Sequence, residues 1–63
     1  MTIIKKLASA VINGQYSVEL YELDSGYAVG YGNEWNEFKT VKEALNNYNQ
    51  CNLHAETCAG FHD

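Results

Sequence analysis

The chain has 63 residues, enough for one small domain over residues 1–63 that buries only about 60% of the surface its unfolded form exposes. A hydrophobic fraction of 46% with five Tyr, one Trp and two Phe excludes a disordered tail, and a net charge of −4 with no Arg argues against direct nucleic-acid binding, since Arg supplies most bidentate contacts to phosphate and guanine. No apolar run approaches the roughly 18 residues of a membrane span, and MTIIKKLASAVING lacks the uncharged core and cleavage site of a signal peptide, so a cytoplasmic protein with no membrane partner is expected.

The opening segment reads two ways. Ile3, Ile4, Leu7, Ala8, Val11 and Ile12 recur at helical spacing, while Asn13-Gly14 followed by Gln15-Tyr16 reads as a hairpin turn. A strand is favoured, because Asn-Gly supplies the two positive-φ positions of a type I′ turn; the alternative makes Asn13-Gly14 the cap of a short helix. From Tyr16 the chain alternates, with Tyr16, Val18, Leu20 and Glu22 on one face and Ser17, Glu19, Tyr21 and Leu23 on the other. The first of these faces is the more apolar and is expected to be buried.

Asp24-Ser25-Gly26 is turn chemistry and starts a second hairpin. If Ser25-Gly26 is a two-residue loop, Tyr27, Val29 and Tyr31 fall on the face of Val18 and Leu20; a three-residue loop shifts that register, and the sequence leaves the choice open. Gly30 and Gly32 flank Tyr31, where a strand glycine marks a bulge, a strand end or the close approach of other atoms. Gly32-Asn33-Glu34 reads as a turn, and Trp35 to Phe38 as a short last strand whose two aromatics point to opposite faces.

Thr40-Val41-Lys42-Glu43 matches a helix capping box, so a helix is predicted from Val41. Its apolar stripe is Val41, Ala44, Leu45, Tyr48, Cys51, Ala55 and Ala59. Asn52 interrupts this stripe, which predicts a kink or break near residue 52, and Gly60 is the expected C-cap. The fold class is therefore α+β, a three- to four-stranded antiparallel sheet with one C-terminal helix packed on one face, and Val18, Leu20, Val29, Leu45 and Tyr48 are the expected core.

Two constellations carry chemistry. Cys51, His54, Cys58 and His62 are zinc-ligand types within a dozen residues. On a continuous helix, however, Cys51 and His62 stand about 16 Å apart at 1.5 Å per residue, too far to share one ion. Reduced packing cysteines with no metal and no cofactor are the expectation, and a metal-binding or redox-responsive module is the alternative. Cys51 or Cys58 with His54 and Glu56 also resembles a nucleophile, base and acid, but no glycine-rich oxyanion loop adjoins them and so small a domain has little room for a pocket. A non-enzymatic chain is expected.

The second constellation is electrostatic. Between Lys6 and Lys39 every ionic residue is acidic, namely Glu19, Glu22, Asp24, Glu34 and Glu37, interspersed with Tyr21, Tyr31 and Trp35. An acidic face of this kind serves solubility, or it docks on a basic, nucleic-acid-binding surface of another protein with Tyr and Trp as anchors. The candidate partner-binding residues are Glu19, Tyr21, Glu22, Asp24, Glu34, Trp35 and Glu37.

In size, charge and layout, with the acidic aromatic strands YSVELYELDSGYAVGYGNEWNEF followed by the capped helix TVKEALNNYNQC, the chain resembles small phage-encoded inhibitors of bacterial immunity, especially anti-CRISPR proteins that act as partial DNA mimics. That resemblance implies a non-enzymatic inhibitor acting in the host cytoplasm, where it occupies a DNA-binding or PAM-reading surface of an effector complex. The four lysines set it apart from full duplex imitation. A structural or assembly protein with an exposed sheet edge is a further alternative.

Overall fold

The structure, a computed structural model, describes residues 2–12 and 14–61, with side chains described through Cys58. Four strands, β1 (Ile3–Ile12), β2 (Tyr16–Leu23), β3 (Gly26–Tyr31) and β4 (Glu34–Phe38), form one antiparallel sheet in sequence order, and the helix α1 (Val41–Phe61) packs across one face. The opening segment is thus a strand. None of the described helical residues forms a stretch long and apolar enough to cross a membrane.

The loops set the register. Gln15 N–H bonds the Ile12 carbonyl at 3.1 Å and Gly14 takes φ 69°, but Ile12 lies opposite Tyr16, so three residues rather than two separate the first pair of strands. The other central residue of the expected type I′ turn, residue 13, lies outside the described residues. Leu23 pairs with Gly26, so the two-residue loop is Asp24-Ser25 rather than Ser25-Gly26, and Tyr27, Val29 and Tyr31 still lie beside Val18 and Leu20 on the helix face. Gly26 takes φ 155°, and a Cβ there would collide with the Phe38 carbonyl oxygen, so glycine is required by a neighbouring backbone as well as by the turn. Gly32-Asn33 forms the last tight turn.

β1 carries two bulges, at Ile4 and Leu7, where two residues of β1 face a single step of β2. These extra residues reconcile the helix-like spacing of apolar residues in this segment with a strand. They also reverse the facing of what precedes them. Continued from the hairpin without the Leu7 bulge, the register would set Lys6 opposite Glu22 on the helix face; with it, Lys6 lies opposite Tyr21 on the other face.

The core joins Val18, Leu20 and Val29 to Ala44, with Ala8, Tyr27, Tyr31, Phe38, Tyr48 and Cys51 packed around them. Leu45, expected in this core, is 45% exposed. The sheet supplies bulky aromatics at the contact, and the helix meets them with small residues: Ala44 and Ala55 are buried, and Cys51 and Tyr48 lie between them. Leu45 follows Ala44 by about 100° of helical rotation and falls on the flank, as does half-exposed Val41.

Two further expectations for α1 are corrected. The helix is unbroken at residue 52 and continues through Gly60 to Phe61. Asn52 is accommodated because its Nδ2 donates to the Tyr48 carbonyl one turn back at 3.1 Å, leaving Oδ1 buried with no partner among the described residues. Gly60 permits a positive-φ stop but does not impose one. At the other end Thr40 caps the helix, accepting from the Glu43 amide at 3.3 Å; the Glu43 carboxylate accepts the Thr40 hydroxyl proton at 3.0 Å.

Candidate functional site

With α1 on one side, the other side of the sheet is left uncovered by any element. Strand alternation assigns to it Lys6, Ser9 and Val11 from β1, Ser17, Glu19 and Tyr21 from β2, Ala28 and Gly30 from β3, and Trp35 and Glu37 from β4. Four predicted site residues, Glu19, Tyr21, Trp35 and Glu37, therefore share this open face.

At its centre Tyr21 and Trp35 meet with ring centroids 5.5 Å apart and planes inclined at 34°. Gly30 lies directly opposite Trp35 in the ladder, and a Cβ there would sit 3.6 Å from Trp35 Cε3 and 3.9 Å from Tyr21 Cε2. The glycine lets the indole lie over the strand, covering backbone that no side chain covers. Trp35 Nε1 donates to Glu37 Oε2 at 3.0 Å, which fixes the ring while leaving the residue 40% exposed. Beside the pair a cavity of about 270 Å³ opens toward the Gly32-Asn33 turn, lined by Ser17, Glu19, Tyr21, Gly30, Glu34 and Trp35 among others.

The face is not one-signed. Lys6 Nζ reaches Glu19 Oε2 at 3.0 Å, a diagonal pair across β1 and β2. That hydrogen bond holds the Glu19 carboxyl below its ordinary value and, with the Glu19 charge, raises the Lys6 ammonium above its own. Burial, then the neighbouring Glu19 carboxylate, pushes the Tyr21 phenol up, so it stays neutral at physiological pH. Lys6 was not legible as a member of this site, because the Leu7 bulge that turns it outward has no signature in the sequence.

The remaining predicted residues are placed elsewhere. Glu22 lies on the helix face, paired in register with Lys5 and Tyr27. Asp24 closes the sheet end: its Oδ1 accepts from the Thr2 amide at 3.2 Å and its own amide donates to the Thr2 carbonyl at 3.0 Å. Glu34 starts β4 opposite Tyr31 and borders both sides of the sheet, lining the open-face cavity and a cleft of about 300 Å³ with Tyr31, Asn47, Cys51 and His54. The acidic set contiguous in sequence is thus divided among two faces and one end.

The cysteine and histidine residues do not converge either. His54 Nδ1 is 2.9 Å from the Tyr31 hydroxyl, and Cys58 Sγ lies 3.8 Å from His54 Nε2 one turn away. The Tyr31 phenol is raised, chiefly by burial, so its hydroxyl stays protonated beside the His54 ring. Cys51 turns inward with its thiol near Asn47 Oδ1 at 3.8 Å, and burial followed by the Glu34 charge pushes that thiol up. Among the described residues no three His, Cys, Asp or Glu side chains gather as metal ligands would; His62 lies outside them. Both thiols are free. Comparison of the chain with protein-family models, with curated proteins and with solved structures finds no match.

Proposed function

We propose that this chain is a non-enzymatic protein-binding module that docks through the open face of its sheet. Tyr21 and Trp35 are the anchor, and Glu19, Glu34 and Glu37 select a basic partner surface. The observation that carries this reading is the aromatic pair itself: two large rings, fixed by Gly30 beneath and Glu37 alongside, on the side of the sheet that no element covers. Rigid, partly exposed Trp and Tyr are the residues on which binding energy concentrates, because they lose little conformational freedom on contact.

The partner class is a protein with a basic, nucleic-acid-binding surface. The resemblance to anti-CRISPR inhibitors narrows this to the DNA-binding surface of a bacterial immune effector, where the chain would compete with DNA. Glu22 and Asp24 take no part in this docking, being turned to the helix face and tied to Thr2 respectively. The contact is an aromatic anchor with a small acidic rim, not an extended imitation of a phosphate backbone.

The test compares two charge-altered baits. Glu19→Lys, Glu34→Lys and Glu37→Lys together change the open face; Asn46→Lys with Asn49→Lys changes the exposed side of the helix by a similar amount. Immobilised wild-type chain should retain a nucleic-acid-handling protein from bacterial lysate, the helix variant should retain it too, and the open-face variant should lose it while keeping its circular dichroism spectrum. Retention by the open-face variant together with loss by the helix variant would refute the assignment.

A further inference from the structure

We propose that the cavity beside Trp35 is a receptor for a single arginine side chain of the docking partner, with the guanidinium lying on the indole face and hydrogen-bonded to the carboxylates of Glu19 and Glu34. This rests on the docking reading of the same face and names the chemistry that the face selects. At about 270 Å³ the cavity falls below the several hundred Å³ of cofactor and drug-sized sites and suits one long side chain. Every charged residue that lines it is acidic, and its walls are Tyr21 and Trp35. Aromatic faces attract cations through the ring quadrupole, and carboxylates at the rim supply the counter-charge.

Three details favour a planar cation. Trp35 donates its only side-chain N–H to Glu37, so the part of the ring left for a ligand is its carbon face, on which a flat guanidinium stacks and a tetrahedral ammonium does not. Glu34, at the rim, makes no hydrogen bond or ion pair with the described residues. Glu19 is engaged by Lys6 through Oε2, and the five N–H groups of a guanidinium can bridge from Glu34 to a carboxylate already partly occupied, which suits arginine better than a second lysine.

Trp35 is the only tryptophan, so indole fluorescence reports this cavity alone. The probes are end-blocked glycine pentapeptides with arginine, lysine or citrulline at the centre; citrulline keeps the shape of arginine without its charge. The arginine peptide should shift the emission saturably. The citrulline peptide should bind about tenfold more weakly and the lysine peptide several-fold more weakly. Glu34→Gln should weaken the arginine peptide several-fold, and Leu53→Asn, on the exposed side of α1, should leave it unchanged. An unsaturable response to arginine, or equal binding of any two of the three peptides that places arginine level with another, overturns the proposal. Its failure is distinguishable from that of the docking reading: if Trp35→Ala abolishes partner capture while the peptides show no preference, only the arginine assignment falls, whereas capture indifferent to both Trp35→Ala and Tyr21→Ala removes both.

Discussion

Replacing leucine by alanine should have very different consequences at Leu20 and Leu45, although the sequence alone assigns both to the core. Leu20 is 4% exposed and lies among Val18, Val29 and Ala44, whose short or branched side chains have little freedom to move into the space left behind. A buried Leu→Ala change costs about 3 to 5 kcal/mol when its surroundings relax poorly. A domain of 63 residues has roughly 3 to 9 kcal/mol of stability in all at 0.05–0.15 kcal/mol per residue, so Leu20→Ala removes a third or more of it. Leu45, at 45% exposed, retains about half of the burial and leaves no enclosed cavity. Half of a full leucine transfer is about 1 kcal/mol, and alanine's better helix propensity returns a few tenths of that. Urea unfolding followed by far-ultraviolet circular dichroism reads the difference. With a slope near 1 kcal/mol/M, expected for so small a protein, Leu20→Ala should lower the midpoint by about 3 M or abolish the folded baseline, and Leu45→Ala by less than about 1 M. Equal midpoints for the two variants would refute the placement of α1 on the sheet.

Gly26→Ala should destabilise the domain by about 1 to 3 kcal/mol in the same assay, because the new Cβ meets the Phe38 carbonyl, while Gly30→Ala, whose Cβ makes only ordinary contacts with Trp35, should cost less. The Glu19 carboxyl should titrate below its ordinary value of 4.5 by carbon-detected NMR, and Lys6→Gln should bring it back toward that value. Since the folded value is the lower one, the stabilisation from this pair is present above about pH 4.5 and is lost as the pH falls through the folded value; increasing stability on acidification over that window would contradict the pairing. Asn52→Ala removes a buried acceptor with no partner among the described residues and improves helix propensity, so the urea midpoint should stay level or rise by the equivalent of up to about 1 kcal/mol.

What was legible in the sequence is what local chemistry decides. Thr40 and Glu43 mark the helix start, Asp24-Ser25-Gly26 and Gly32-Asn33 mark turns, and the odd spacing of Trp35 and Phe38 sends one aromatic to each face. Val18, Leu20 and Val29 are buried on the face that period-two alternation marks as the more apolar, although Leu23 and Ala28 on the opposite face are buried as well. Missed were the features that depend on two elements at once. Leu45 loses its core position to Ala44 because the sheet supplies the bulk at the contact, and a stripe read from the helix alone cannot register that. Asn52 predicts a break only if its polar head lacks a local acceptor, and the Tyr48 carbonyl provides one.

The electrostatics of the open face follow from the same limitation and change what should dominate binding. Charges segregated along the chain are not segregated in space: the Leu7 bulge brings Lys6 against Glu19, while the sheet sends Glu22 to the opposite face and the chain end holds Asp24. Glu37 spends its carboxylate on the Trp35 ring. What is left on this face to act at a distance is Glu34, Glu37, whose charge the neutral indole N–H does not cancel, and a partly neutralised Glu19, too few charges for steering to carry the affinity. The aromatic pair must do so. Trp35→Ala should therefore weaken partner binding by tenfold or more, about 1.4 kcal/mol or above, through slower-forming and faster-breaking contacts alike, whereas Glu37→Gln, which preserves an acceptor for the indole N–H, should cost less than about fivefold. Raising the salt from 0.1 M to 1 M shortens the Debye length from about 10 Å to about 3 Å and should weaken binding only modestly. Surface plasmon resonance across that range, with the wild type and both variants, tests the hierarchy; a salt dependence larger than the effect of Trp35→Ala would return the leading role to the carboxylates.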